Sequence, residues 1–170
     1  MTIAPDSYVM IIGAMKSGTT SLYNYLIQHP RICPCKEKEP EFFSRQQGHG
    51  TTTNSYSDLW DFDPSEHSFA IEASTGYTKF PFEKGVAQRI ADHGLSPRFI
   101  YCVRDPIERI LSQCRFVNNN PNWGNIDVLA DEAVYLSRYN EQLSQFTQLF
   151  RKEDILIVDF DLISTNPQAA

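Results

Sequence analysis

The chain contains no apolar run of membrane-spanning length, so no spanning helix is expected. Its first residues, Met1 to Ser7, carry neither the charged n-region nor the apolar h-region of a secretory signal. These two absences together point to a cytoplasmic protein or an excised domain. Basic charge is in deficit, with 15 Lys and Arg against 21 Asp and Glu, a formal net charge of -6 and a pI near 5.1. That balance argues against nucleic-acid binding, which favours basic surfaces, and weighs against a polyanionic partner. Cysteines are few, and of the four only Cys33 and Cys35 are close in sequence. Two further ligands at suitable spacing are missing, so no metal site is expected. Cys33 and Cys35 read as free loop thiols, while Cys102 and Cys114 read as core. Without a secretory context no structural disulfide is expected. Internal repeats and low-complexity tracts are also absent.

What remains is a hydrophobic fraction of 41% and an aromatic fraction of 12% in 170 residues, enough for one domain with a real core. Tyr8–Ile12 reads as a first strand and Thr19–Gln28 as a first helix, ended by His29-Pro30. Residues 33–63 read mostly as loop. Phe69–Ala73 and Arg98–Val103 read as strands. A helix is expected from Pro81 to about His93, stopped by Gly94. Asp105-Pro106 caps and opens another, with Ile107, Ile110, Leu111 and Cys114 on one face. Asn118 to Asp127 reads as a polar loop, Asp131 to Phe150 as one long amphipathic helix, and Ile155–Val158 as the last strand. Alternating strands and helices imply an α/β fold, a parallel sheet with helices on both faces and a ligand site at the strands' carboxyl ends.

Chemistry concentrates at Gly13-Ala14-Met15-Lys16-Ser17-Gly18-Thr19-Thr20-Ser21, between the first strand and the first helix. A helix N-terminus offers unpaired N–H groups and a partial positive charge, a natural anion site. Lys16 adds a full charge, and the hydroxyl residues add donors. A Walker A loop places lysine after its second glycine. Here Lys16 comes two residues before Gly18, so the loop is phosphate-binding in kind but differs from an ordinary ATP or GTP site.

Lys16-Ser17-Gly18-Thr19-Thr20-Ser21-Leu22 resembles the 5′-phosphosulfate loop of sulfotransferases that use 3′-phosphoadenosine-5′-phosphosulfate (PAPS). Val103-Arg104-Asp105-Pro106, followed by Ser112, resembles the family's 3′-phosphate element. A guanidinium gives paired donors to phosphate, and eight residues bring Ser112 round two helical turns later. Arg109 faces differently and reads as structural. Lys38-Glu39 with Phe42-Phe43 resembles the family's Lys-Glu-x-x-Phe-Phe segment, best known in the glycosaminoglycan branch, where the glutamate is the proposed general base. Phe42 and Phe43 would shield Glu39 from water, the setting that suits a carboxylate base near neutral pH. Glu37 and Glu41 are its rivals if the register differs.

The resemblance implies a P-loop-like α/β fold over residues 1–170 and sulfuryl transfer to a hydroxyl or amine of a small-molecule or carbohydrate acceptor. Lys16 and Glu39 would be catalytic. Lys16, Ser17, Gly18, Thr19, Thr20, Ser21, Arg104 and Ser112 would hold the co-substrate, with no metal required. Ala73 stands where the glycosaminoglycan enzymes usually carry a lysine, which weighs against an anionic glycan. Glu72 and Tyr77 read equally as acceptor-lining or as core and turn residues. The four histidines read as surface. The family's C-terminal third, with its closing loop, has no counterpart here, so the resemblance covers nearly all of the chain but part of a family domain. Two other classes stay open. Ile155-Leu156-Ile157-Val158-Asp159 imitates a Walker B strand and supports a Mg-ATP kinase or NTPase, although Asp159 itself reads as structural. A non-catalytic nucleotide-binding domain is the other.

Overall fold

A computed structural model describes residues 3–44, 53 and 55–166. It contains a five-stranded, all-parallel sheet in the order β2-β3-β1-β4-β5. The strands are β1 (Tyr8–Gly13), β2 (Ile32–Pro34), β3 (Phe69–Ala73), β4 (Arg98–Val103) and β5 (Ile155–Asp159). The helices are α1 (Thr19–Leu26), α2 (Val86–Asp92), α3 (Pro106–Asn118), α4 (Asp131–Tyr135), α5 (Tyr139–Thr147) and α6 (Phe160–Thr165).

Strand alternation divides the core between the two faces of the sheet. Tyr8, Met10 and Ile12 of β1 point with Phe99 and Tyr101 of β4 into a cluster that includes Ile90 of α2 and Phe146 of α5. Ile11, Ile71, Ile100 and Cys102 point the other way, onto Leu22 and Tyr23 of α1 and Ile163 of α6. Strands covered on both faces must be apolar throughout, which is why β1 and β4 are continuous hydrophobic runs.

Four expectations are corrected and one is refined. Within residues 33–63, read mostly as loop, Cys33 and Pro34 close an edge strand, Ile32–Pro34, that pairs with Phe69–Ile71. Three residues ending in proline give almost no strand signal. Cys33 and Cys35 are consequently buried core thiols and not loop thiols, and burial pushes the Cys35 thiol up to about 12. The helix expected from Pro81 begins only at Val86, because the N–H groups of Phe82 and Glu83 close a turn onto the Lys79 carbonyl and Gly85 adopts φ +72°. The long helix from Asp131 is broken into α4 and α5. Arg109 Nη2 donates to the Ala133 carbonyl at 2.5 Å, and the Ser137 N–H turns to Val134 instead. Finally, α3 does not bury Ile107, which is 63% exposed; its buried positions include Arg109, Gln113 and Cys114. A polar residue faces inward there because Arg109 also reaches Ser137 Oγ at 2.6 Å and Gln113 Oε1 at 2.9 Å.

Asp105 caps α3 as its position suggests, its Oδ1 accepting from the N–H groups of Ile107 and Glu108 at 2.9 Å. Among the described residues, no helix is long and apolar enough to cross a membrane.

Candidate active site

The turn after β1 delivers Lys16 to the carboxyl edge of the sheet. Gly18 takes φ +83°, and a Cβ there would lie 2.9 Å from the Phe160 ring, so both backbone and space call for glycine. No side chain caps the α1 N-terminus and no acidic residue sits in its first turn. Its leading N–H groups and dipole therefore face outward without a local anion.

These elements border a cleft of about 1000 Å³. Lys16, Gly18, Thr19 and Thr20 line it from the turn, Glu39 from the segment after β2, and Arg104 and Ser112 from the β4–α3 junction. Seven of the nine candidate residues thus share one wall-to-wall space, although they come from three separate stretches of chain. Ser17 and Ser21 are the exceptions. The Ser17 N–H already donates to Ala14 O at 3.1 Å, and its Oγ is fully buried without a hydrogen bond of ordinary geometry. Ser21 is exposed and lies away from the cleft lining. Successive helical residues point about 100° apart, so a hydroxyl run cannot all face one ligand.

Lys16 sits with Nζ 4.0 Å from the centre of the Phe116 ring. Burial, then the charges of Arg104 and Lys38, lower its pKa, while Glu39 works in the opposite direction. An ammonium held this way gains from any anion that enters. Arg104 stacks on Phe160 at 4.5 Å and contacts Glu108 at a loose 3.4 Å. Its backbone carbonyl accepts the Tyr139 hydroxyl at 2.7 Å, which fixes the strand end that carries it.

Glu39 stays on the lip of the cleft, its side chain 39% exposed and 3.9 Å from Lys38 Nζ. The shielding expected from Phe42 and Phe43 is not realised. Both rings turn inward to contact Tyr56 and His93. Glu39 and Glu41 both adopt positive φ, +54° and +50°, on either side of Pro40. That double twist sends Glu41, not Glu39, inward. Glu41 Oε1 accepts the Gly76 N–H at 2.7 Å and its Oε2 accepts Ser44 Oγ at 2.5 Å. Burial raises the Glu41 pKa.

Glu72 is fully buried and belongs to the core rather than to the cleft lining. It accepts hydroxyls from Tyr56 at 2.5 Å, Tyr77 at 3.0 Å and Ser74 at 2.5 Å. Burial raises its carboxyl from 4.5 to about 7 despite these donors. Between those values the folded state holds a proton that the unfolded chain has lost. Stability should therefore fall as pH rises through that window. Glu72→Gln keeps the neutral shape and should flatten this dependence. Urea midpoints measured from pH 5 to 7.5 test it, and parallel slopes for the two proteins would sink the assignment.

Sequence reasoning missed Lys79, Phe116, Trp123 and Phe160, all of which line the cleft. Phe116 was within reach, being one turn beyond Ser112 on α3. Nothing local marks Lys79, which comes to the cleft only because the turn after β3 folds back. A second cavity of about 630 Å³ opens beside Lys16, Ser112 and Phe116 and adds Arg115. Asp159 caps α6, its Oδ1 accepting from the Asp161 N–H at 2.8 Å, and lies away from the cleft lining.

Residues 6–170 match the sulfotransferase domain family. The chain belongs to this family. It is 34% identical over 109 residues to a membrane-associated sulfotransferase of Dictyostelium discoideum, covering 63% of this chain and 22% of that protein. It is 27% identical over 174 aligned positions to human heparan sulfate glucosamine 3-O-sulfotransferase 5, covering 93% and 49% respectively. The chain thus spans about half or less of the length of these relatives. A sulfotransferase from Alicyclobacillus acidocaldarius superposes with a TM-score of 0.78 at 24% identity, covering 97% of this chain and 77% of that one. The sulfotransferase fold follows from that likeness and from the five parallel strands flanked by helices.

Proposed function

We propose that this sulfotransferase-family chain transfers a sulfuryl group from PAPS to a hydroxyl or amine of a small-molecule or carbohydrate acceptor. The observation that carries the reading is the meeting of Lys16, the α1 N-terminus, Arg104, Ser112 and Glu39 around one cleft. The first turn of α1, with Thr19 and Thr20, receives the donor's 5′-phosphate. Arg104 and Ser112 receive the 3′-phosphate, which ATP lacks. Glu39 takes the acceptor proton as the acceptor oxygen or nitrogen bonds to sulfur. The bond from sulfur to the bridging oxygen breaks, and 3′-phosphoadenosine-5′-phosphate (PAP) leaves. Lys16 neutralises the charge that builds on that bridging oxygen. No step calls for a metal, since the sulfuryl group carries less negative charge than a phosphoryl group.

Calorimetry tests this directly. PAP should bind without Mg²⁺, and Arg104→Ala should weaken it about tenfold to a hundredfold, the scale of one charged hydrogen bond. A 5′-nucleotide without the 3′-phosphate should be nearly unaffected by that change. Equal losses for both ligands would remove Arg104 from 3′-phosphate recognition. Mg²⁺-dependent ATP binding in preference to PAP would instead favour a kinase.

A further inference from the structure

Arg104 stands at a seam of the backbone. The last pair of β4 with β5 is Val103 with Asp159, and α3 opens at Pro106 behind the capping Asp105. Residue 104 belongs to neither element. Its guanidinium stacks on Phe160 at 4.5 Å, and its contact with Glu108 is a loose 3.4 Å. Its carbonyl is held more firmly, by the Tyr139 hydroxyl at 2.7 Å across 35 residues of chain. A well-formed polar tie thus reaches this residue from α5.

Tyr139 stands where the expected long helix is broken. It is the first residue of α5, and Arg138 before it has φ -84° and ψ 68°, outside the helical region. Arg109 holds the break through the Ala133 carbonyl and Ser137 Oγ. The Tyr139 ring packs on the core, 5.9 Å from the Tyr101 ring, and does not line the cleft. Burial raises its pKa, so the hydroxyl keeps its proton and stays a donor through the neutral range. A hydrogen bond weakens steeply as its distance and angle depart from the ideal. A guanidinium on a drifting backbone therefore loses its paired grip on a phosphate.

We infer that Tyr139 is a positioning residue for the donor's 3′-phosphate. Its hydroxyl fixes the Arg104 backbone, and through it the guanidinium, so part of the choice of donor is set outside the cleft. This rests on the sulfuryl-transfer reading, in which Arg104 receives the 3′-phosphate. Without the hydroxyl, the Arg104 carbonyl must find another donor. The peptide turns to meet it, and the side chain moves as well.

The test is calorimetry on the full chain with PAP and with adenosine monophosphate (AMP), which is PAP without the 3′-phosphate. Tyr139→Phe deletes the hydroxyl and keeps the ring against Tyr101. It should weaken PAP about fivefold, the scale of one neutral hydrogen bond, and leave AMP unchanged. In the Arg104→Ala background it should cost PAP nothing further, because the side chain it positions is gone. Tyr101→Phe is the packing control. Its hydroxyl is also buried but has no hydrogen bond of ordinary geometry among the described residues, so PAP affinity should stay as in the parent. Equal losses for PAP and AMP, or a PAP affinity indifferent to Tyr139→Phe, would overturn the assignment. So would an undiminished further loss on top of Arg104→Ala, or an equal loss in Tyr101→Phe. In each of these cases PAP binding that still depends on Arg104 leaves sulfuryl transfer standing. If the parent chain binds no PAP, the sulfuryl-transfer reading falls, and this inference falls with it.

Discussion

Lys16→Ala should lower sulfuryl-transfer turnover by about 10²–10³ while the protein stays folded, the usual loss when one well-placed transition-state donor is removed. The lysine is half-buried in the cleft, and the one ring it stacks on is the exposed Phe116. It contributes little to the core, so its removal acts on chemistry more than on folding. Its lowered pKa follows chiefly from burial, with repulsion from Arg104 and Lys38 added. That arrangement leaves the ammonium short of anionic partners until donor phosphates arrive. Release of PAP from PAPS, alongside a urea melt, checks both halves of the statement. Near-normal turnover in a folded Lys16→Ala protein would take Lys16 out of the mechanism.

Glu39→Gln is the second large effect, a turnover loss of about 10²–10⁴, the range of a general base. PAP affinity should hardly change, because a proton acceptor does not touch the nucleotide. Glu41→Gln is the informative contrast. Glu41 is 7% exposed and anchored to Ser44 and Gly76, so its loss should register first in stability. Gly76 has no room for a side chain against that carboxylate, which shows how closely the two segments pack. Glu37→Gln should change little. A larger turnover loss in Glu41→Gln than in Glu39→Gln, in proteins of equal stability, would move the base to the buried position.

The sheet was legible in the sequence wherever a strand was buried on both faces. Phe69–Ala73 and Arg98–Val103 were read with their observed bounds, because continuous apolar runs leave few alternatives. Ile32–Pro34 escaped because an edge strand of three residues needs only its neighbour's hydrogen bonds, not a pattern of its own. The break between α4 and α5 also escaped. It is imposed by Arg109, more than twenty residues away, and no local periodicity records that contact. In the site, the meeting of the glycine-and-lysine turn and Arg104 at one cleft was legible because both stand at the carboxyl ends of strands. The burial of Glu41 in place of Glu39 was not, since backbone twist at Glu39 and Glu41 decides it. The place of Trp123 depends on the fold of the loop after α3 and left no mark beyond one apolar letter, whereas Phe116 follows from the turn of α3 beyond Ser112.

Lys16, Glu39 and Glu41 all have φ between +50° and +69°, a region that L side chains enter at a cost, and all three line the cleft. Glycine would relax the backbone at each position, yet each carries a side chain instead. At Lys16 and Glu39, unlike the anchored Glu41, selection for thermal robustness alone would favour glycine and would remove two of the cleft's charges in doing so. The protein therefore sits below the stability its own backbone could reach. Thermostabilising libraries built on this chain should hold Lys16 and Glu39 fixed, since there the most stable sequence and the working sequence diverge.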